Sequence, residues 1–156
     1  MDATAPRVVF DCMIYTQALI SERGPAGLCL NHVRLGALRL VWSDYVLQEI
    51  RELPLKLPAR LLVTPERVDA FISAIAPYAE HRASVPPLYE NPFDPDDSHY
   101  VNLALAAAAN IITSRDKDLL RLMDDSIPEG HDFHGRFPDL RILTPETLLE
   151  LLGVGH

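Results

Sequence analysis

Acidic side chains recur where this sequence passes from one element to the next. Asp11 ends the apolar run "VVF" at 8–10. Glu49 stands about two turns into the helix after "LVWS". Asp96 and Asp97 open the helix leading into "NIITS" at 110–114, and Asp116 and Asp118 follow that stretch. Taken singly, each has a plain structural role. Asp11 and Asp116 suit helix N-caps, Asp97 complements a helix N-terminus, and Glu49 shares a solvated face with Glu52. Their joint pattern is more specific. In a parallel sheet the strands carrying Asp11 and Asp116 end at the same edge, where helices bring in acids from their first turns. Carboxylates gathered in one cleft repel each other. They are tolerable when a cation sits among them or when some are protonated.

The elements that must position these acids alternate. Residues 7–10 read as a short buried strand and are followed by a helix to about Ile20. "SERGPAG" is a loop, and Leu28 to Leu38 has helical spacing. Residues 38–43 form a second apolar strand. Ser43 caps a helix with Val46, Leu47 and Ile50 on its apolar face, which Pro54 ends. Two short helices are expected over 55–80, the second begun by Thr64 and Pro65. "RASVPPLY" is expected to hold a third short strand before or across its prolines, "NPFDPDDSHY" is an acidic loop, and "YVNLALAAAA" is a closely packing helix. "NIITS" is a fourth strand and "DKDLLRLM" starts a helix. A long polar loop is expected over 125–139, and "RILTPETLLELL" closes the chain as strand and helix. This alternation predicts an α/β fold with a mostly parallel sheet and helices on both faces.

Bulk properties narrow the classes. At 156 residues the chain is expected to form one domain with a real core, and 48% hydrophobic content excludes a disordered chain. No apolar run reaches the ~18 residues that cross a bilayer. Asp2, Pro6 and Arg7 before a short strand do not resemble a signal peptide, so the cytoplasm is the expected compartment and no membrane partner is expected. Cys12 and Cys29 lack zinc spacing and read as small buried residues. A formal net charge of −8 weighs against non-specific nucleic-acid binding driven by counterion release. It leaves room for an enzyme that meets a phosphodiester through a bound cation.

"VVFDCMIYTQAL", "LVWSDYVLQEI", "DPDDSHYVNLALAAAANIITSRDKDLL" and "ILTPETLLELL" together resemble the PIN domain, most closely the VapC-like toxin components of toxin–antitoxin systems. The likeness runs from about Val8 to Leu152. It implies a three-layer α/β/α fold, a strand order of 3-2-1-4-5, a single domain over 1–156 and a metal-dependent endoribonuclease. Carried over residue by residue, Asp11, Glu49, Asp97 and Asp116 are the catalytic acids, with Asp96 as the substitute for Asp97 and Asp118 as a helper. Asp11, Asp97 and Asp116 are the implied metal ligands. Met13 stands where many such toxins carry Asn. Gln17, one turn further on, is the candidate to supply a polar group there, and Ser114 the candidate to support a metal-bound water.

This chemistry needs a hard cation with oxygen ligands, Mg²⁺ or Mn²⁺. The metal would lower the pKa of a bound water, and Asp116 or Asp97 would orient it. In-line attack would leave a 5′-phosphate, as the resemblance implies. The implied partners are an RNA substrate, a cognate antitoxin and a second copy of the chain. Two other readings stand beside this one. A phosphatase with a strand-end nucleophile would want a second Asp where Met13 lies, and no GxxxxGK[ST] or GxGxxG loop occurs. A scaffold that keeps its acids but serves in protein binding is the other.

Overall fold

A computed structural model describes residues 4–153. Asp2, part of the N-terminal pattern above, lies outside them. The elements run β1 (Arg7–Phe10), α1 (Cys12–Ile20), α2 (Pro25–Arg34), β2 (Arg39–Ser43), α3 (Asp44–Arg51), α4 (Leu53–Lys56) and α5 (Pro65–Ile75). They continue as β3 (Ala79–Arg82), α6 (Ser98–Ala106), β4 (Ile111–Thr113), α7 (Lys117–Leu120), α8 (Pro128–Arg136), β5 (Arg141–Leu143) and α9 (Pro145–Leu151). The five strands form one parallel sheet in the order β3-β2-β1-β4-β5. This is the expected α/β architecture and strand order.

The central strands are continuous apolar runs because helices cover both faces of the sheet. Val8, Val9, Phe10, Leu40, Val41 and Ile112 are buried. The edge strand β3, "AEHR", is polar and half exposed, as suits a strand with one free side. The register between β1 and β4 pairs Phe10 with Thr113, and the Asp11 N–H extends the ladder to the Thr113 carbonyl at 3.1 Å. Asp11 and Ser114 therefore leave adjacent strands side by side. Among the described residues no helix is long and apolar enough to cross a membrane.

Three segments differ from the sequence reading. The third strand lies at Ala79–Arg82, ahead of most of "RASVPPLY". Pro86 and Pro87 have no N–H to give a ladder, whereas 79–82 pair with Leu40 to Ser43. The second helix starts at Pro25, after Gly24 as cap, and ends at Arg34, with Gly36 at φ +84° turning the chain. The expected loop over 125–139 holds α8. Pro128 is a first-turn residue there rather than a breaker, and Phe133 is fully buried against Tyr89 and Phe137. The two glycines of α8 differ in their surroundings. A Cβ on Gly130 would lie 1.9 Å from the Asp124 carbonyl oxygen, whereas one on Gly135 would meet nothing within 4 Å.

That contrast tests the placement of α8. Gly130→Ala should lower unfolding stability by about 1–3 kcal/mol, the range of an overpacked site. Gly135→Ala should raise it by up to about 1 kcal/mol, the propensity gain in a helix. Urea denaturation at constant m-value reads both. Equal effects from the two substitutions would contradict the packing of this helix.

Candidate active site

Asp11 is the buried corner of the site, only 3% exposed at the end of β1. One oxygen, Oδ1, accepts the Ile14 N–H at 3.1 Å and so caps α1. The other, Oδ2, accepts the Ser114 hydroxyl, whose oxygen in turn accepts the Asp116 N–H at 2.9 Å. Burial pushes the Asp11 carboxyl up to about 6, and the nearby Asp116 charge adds to this, while the Ser114 and Ile14 bonds oppose it.

A tighter cluster lies beside it. Carboxylate oxygens of Asp94, Asp97 and Asp116 all fall within 4.8 Å of one another. Asp94 accepts the Asp96 N–H at 3.0 Å and caps a single 3-10 turn, Pro95–Asp97. Asp116 accepts the Asp118 N–H at 2.8 Å and caps α7. Asn91, fully buried, ties the acidic loop down. Its Nδ2 donates to the Asp118 carbonyl at 3.0 Å and its Oδ1 accepts the Phe93 N–H at 3.0 Å. Its backbone N–H donates to Ser98 Oγ at 2.7 Å. Asp97, between these anchors, leaves Oδ2 buried with no hydrogen bond. Burial first, then the neighbouring Asp116, hold its carboxyl well above the ordinary carboxylate range, with Asp94 and Asp11 adding to the push.

Glu49 is joined to this group through Tyr100. The Tyr100 hydroxyl donates to Glu49 Oε1 at 2.8 Å and accepts the N–H of Cys12, the residue after Asp11, at 3.0 Å. His99 Nε2 lies 3.3 Å from the same Glu49 oxygen. The Cys12 thiol, pushed up to about 12 by burial and by Glu49, is inert.

The sequence-derived residues thus separate. Asp97 and Asp116 come together, with Asp11 as a charged neighbour and Ser114 as the bridge between its carboxylate and Asp116. Asp96 is exposed and gives the cluster only a backbone N–H. Asp118 likewise serves through its N–H and carbonyl. Gln17 Oε1 accepts Arg115 Nε at 2.7 Å. Arg115 is also engaged by both oxygens of Glu146. Met13 is exposed and Tyr15 belongs to the core. The sequence reading missed Asp94, Asn91 and Tyr100. The "DPDD" spacing was the available signal for Asp94, because the turn it caps folds it back onto Asp97.

The donors suit a hard divalent cation. They are all carboxylate oxygens, one of them is buried without a partner, and no ion pair among the described residues joins Asp11, Asp94, Asp97 or Asp116 to a basic side chain. A family model of the PIN domain matches residues 7–118, a span that contains Asp11, Glu49, Asp94, Asp97 and Asp116. No curated protein and no solved structure gives a match.

These raised carboxyls set a pH dependence whose sign is fixed. A carboxyl raised in the folded state contributes stability that is complete below its unfolded pKa and is lost as pH rises through the folded value. For Asp11 that window runs from 3.8 to about 6, and the loss is on the order of 3 kcal/mol. Glu146, held low by Arg115, acts with the opposite sign, and its contribution falls away only at acid pH. The metal-free protein should therefore melt lower at pH 8 than at pH 5, and Asp11→Asn should flatten that difference. Mn²⁺ should raise the melting temperature more at pH 8, where fewer protons compete for the carboxylates. Identical pH profiles for wild type and Asp11→Asn in EDTA would contradict the electrostatics described.

Proposed function

Because the chain belongs to the PIN domain family, which is generally one of nucleases, we propose that it is a metal-dependent endoribonuclease, the toxin of a toxin–antitoxin pair. The observation that carries this reading is the gathering of Asp94, Asp97 and Asp116 with no basic side chain to neutralise them. Folding concentrates negative charge there at a cost in stability, which is the signature of a functional rather than a structural cluster.

In this reading Asp94, Asp97 and Asp116 hold Mg²⁺ or Mn²⁺, and Asp11 completes the negative field from behind. When bound, the cation lowers the pKa of a coordinated water and stabilises charge on the phosphate oxygens. The chain's own groups do the positioning. Ser114 fixes Asp11 relative to Asp116, and Asn91 fixes the loop that carries Asp94 and Asp97. Glu49, outside the triad and steadied at Oε1 by Tyr100, takes the proton of the attacking water. The substrate is RNA, and the products carry a 5′-phosphate. The remaining parts of the proposal are a cognate antitoxin, a homodimeric toxin and action in the cytoplasm. The close likeness of "SRDKDLL" and "DPDD" to such toxins supports them.

Cleavage of single-stranded RNA with Mn²⁺ tests the site, and the two acids flanking Pro95 make the test sharp. Asp116→Asn and Asp94→Asn should each lower the rate by about 10²-fold or more, the scale of a lost catalytic group. Asp96→Asn should stay within about twofold of wild type, because Asp96 contributes its backbone alone. Cleavage that survives Asp116→Asn would exclude the proposed centre. Loss through Asp96 but not Asp94 would move the third acid to the other residue.

A further inference from the structure

A cavity of about 620 Å³ borders the carboxylate site, a size ordinary for a small-ligand pocket. Ser43, Tyr45 and Gln48 line it from the β2–α3 junction, Val85 and Pro87 from the segment after β3, and His99 from α6. His99 is common to both places. It walls the cavity, follows Asp97 by two residues, and lies 3.3 Å from Glu49.

Two rings, Tyr45 and His99, line the cavity, and a third backs His99. The Tyr100 ring, whose hydroxyl holds Glu49, meets the His99 ring at 3.9 Å between centroids. His99 meets Tyr45 at 4.2 Å, each pair tilted by 41°. This column of three rings ends at Tyr45, which is 58% exposed. The segment after β3 is tied to α6, because Asn102 Oδ1 accepts the N–H groups of Leu88 and Tyr89 at 3.0 and 2.8 Å. No Lys or Arg lines the cavity, and Asp44, which does, is paired with His81 at 2.5 Å. Both ring nitrogens of His99 are buried, with Nε2 turned to Glu49.

We propose that this cavity receives one unpaired nucleobase of single-stranded RNA, stacked on Tyr45, next to the phosphodiester held at the acids. The inference rests on the ribonuclease reading of the carboxylate site and adds a base-binding subsite to it. A phosphate would find no Lys or Arg to meet it in the cavity, so the lining favours an uncharged occupant. A base is flat, uncharged and polar at its edge, and every base has a face that stacks on an aromatic ring. A base within a duplex is already stacked and paired, so the pocket selects for single strands. Gln48 offers a polar group at the margin for the base edge or the ribose hydroxyl.

The test separates base recognition from phosphate chemistry. A single-stranded oligonucleotide with neutral methylphosphonate linkages and one 2-aminopurine is titrated into metal-free wild type, Tyr45→Phe and Tyr45→Ala. Steady-state cleavage of the ordinary RNA with Mn²⁺ is measured alongside. Wild type and Tyr45→Phe should quench the 2-aminopurine fluorescence of the single strand and leave its duplex unchanged. Tyr45→Ala should lose the quench and raise KM about 10-fold or more, with kcat within about twofold. A wild type that does not quench, or a Tyr45→Ala that quenches and cleaves like wild type, overturns the pocket. Quenching that depends on Tyr45 in a protein that cleaves no RNA would keep the pocket and remove the nuclease reading.

Discussion

One hydroxyl group holds together what electrostatics would push apart. Ser114 donates to Asp11 and accepts from the Asp116 N–H, so a single neutral dipole stands between two acids at the ends of neighbouring strands. It can do so because β1 and β4 pair Phe10 with Thr113, which fixes the next residue of each strand beside the other. The sheet cannot relax to separate the charges without losing its ladder and the apolar side chains buried on both faces. Burial first, with the Asp116 charge adding to it, therefore holds the Asp11 carboxyl above the ordinary range rather than being relieved by movement.

The same economy runs through the rest of the cluster. Asp11, Asp94 and Asp116 each give one oxygen to a backbone N–H at the start of a helical turn. Helix capping and site building are therefore one act. The capping bond fixes the rotamer, and a fixed rotamer aims the second oxygen. Asp97 is the exception, with no capping bond and one buried oxygen without a partner. It is positioned indirectly, by the turn that Asp94 caps and by the Asn91–Ser98 contacts around it. Tyr100 extends the network across the sheet by joining the start of α1 to Glu49 on α3.

Asp11 and Asp116 were legible in the sequence because an acid after an apolar run reports both a strand end and a helix start. The α/β class and the common edge followed from the alternation of elements, and the family likeness supplied the strand order. Asp94 was not legible as part of the cluster, since its proximity to Asp97 depends on a 3-10 turn rather than on helical or strand spacing. Gln17 shows the complementary limit. Spacing placed it one turn beyond Met13, but spacing does not say what the facing segment brings, and the loop after β4 brings Arg115, which donates to the amide oxygen. The helix at 128–136 was hidden by its punctuation, because Pro128 and Gly130 read as breakers until Phe133 is known to be buried against Tyr89.

The acidity of the chain bears on how it could approach RNA at all. Several of its cations are already engaged within the protein. Arg115 is held by Glu146 and Gln17, Arg7 by Glu80, and Lys56 by Glu52. Arg67 donates to the Leu19 carbonyl, while Arg121 and Arg136 lie over aromatic rings. With −8 of formal charge, the counterion-release term that drives most nucleic-acid binding works against this protein. A ligand reached under those conditions has to be engaged through contacts that do not depend on net charge. A cation among the carboxylates reverses the sign over a few ångströms, and a cavity without basic residues beside it favours the uncharged face of a base over its phosphate. In the proposed reading, such an arrangement would penalise long-range attraction to any polyanion and reward a strand that presents a phosphate and a free base together.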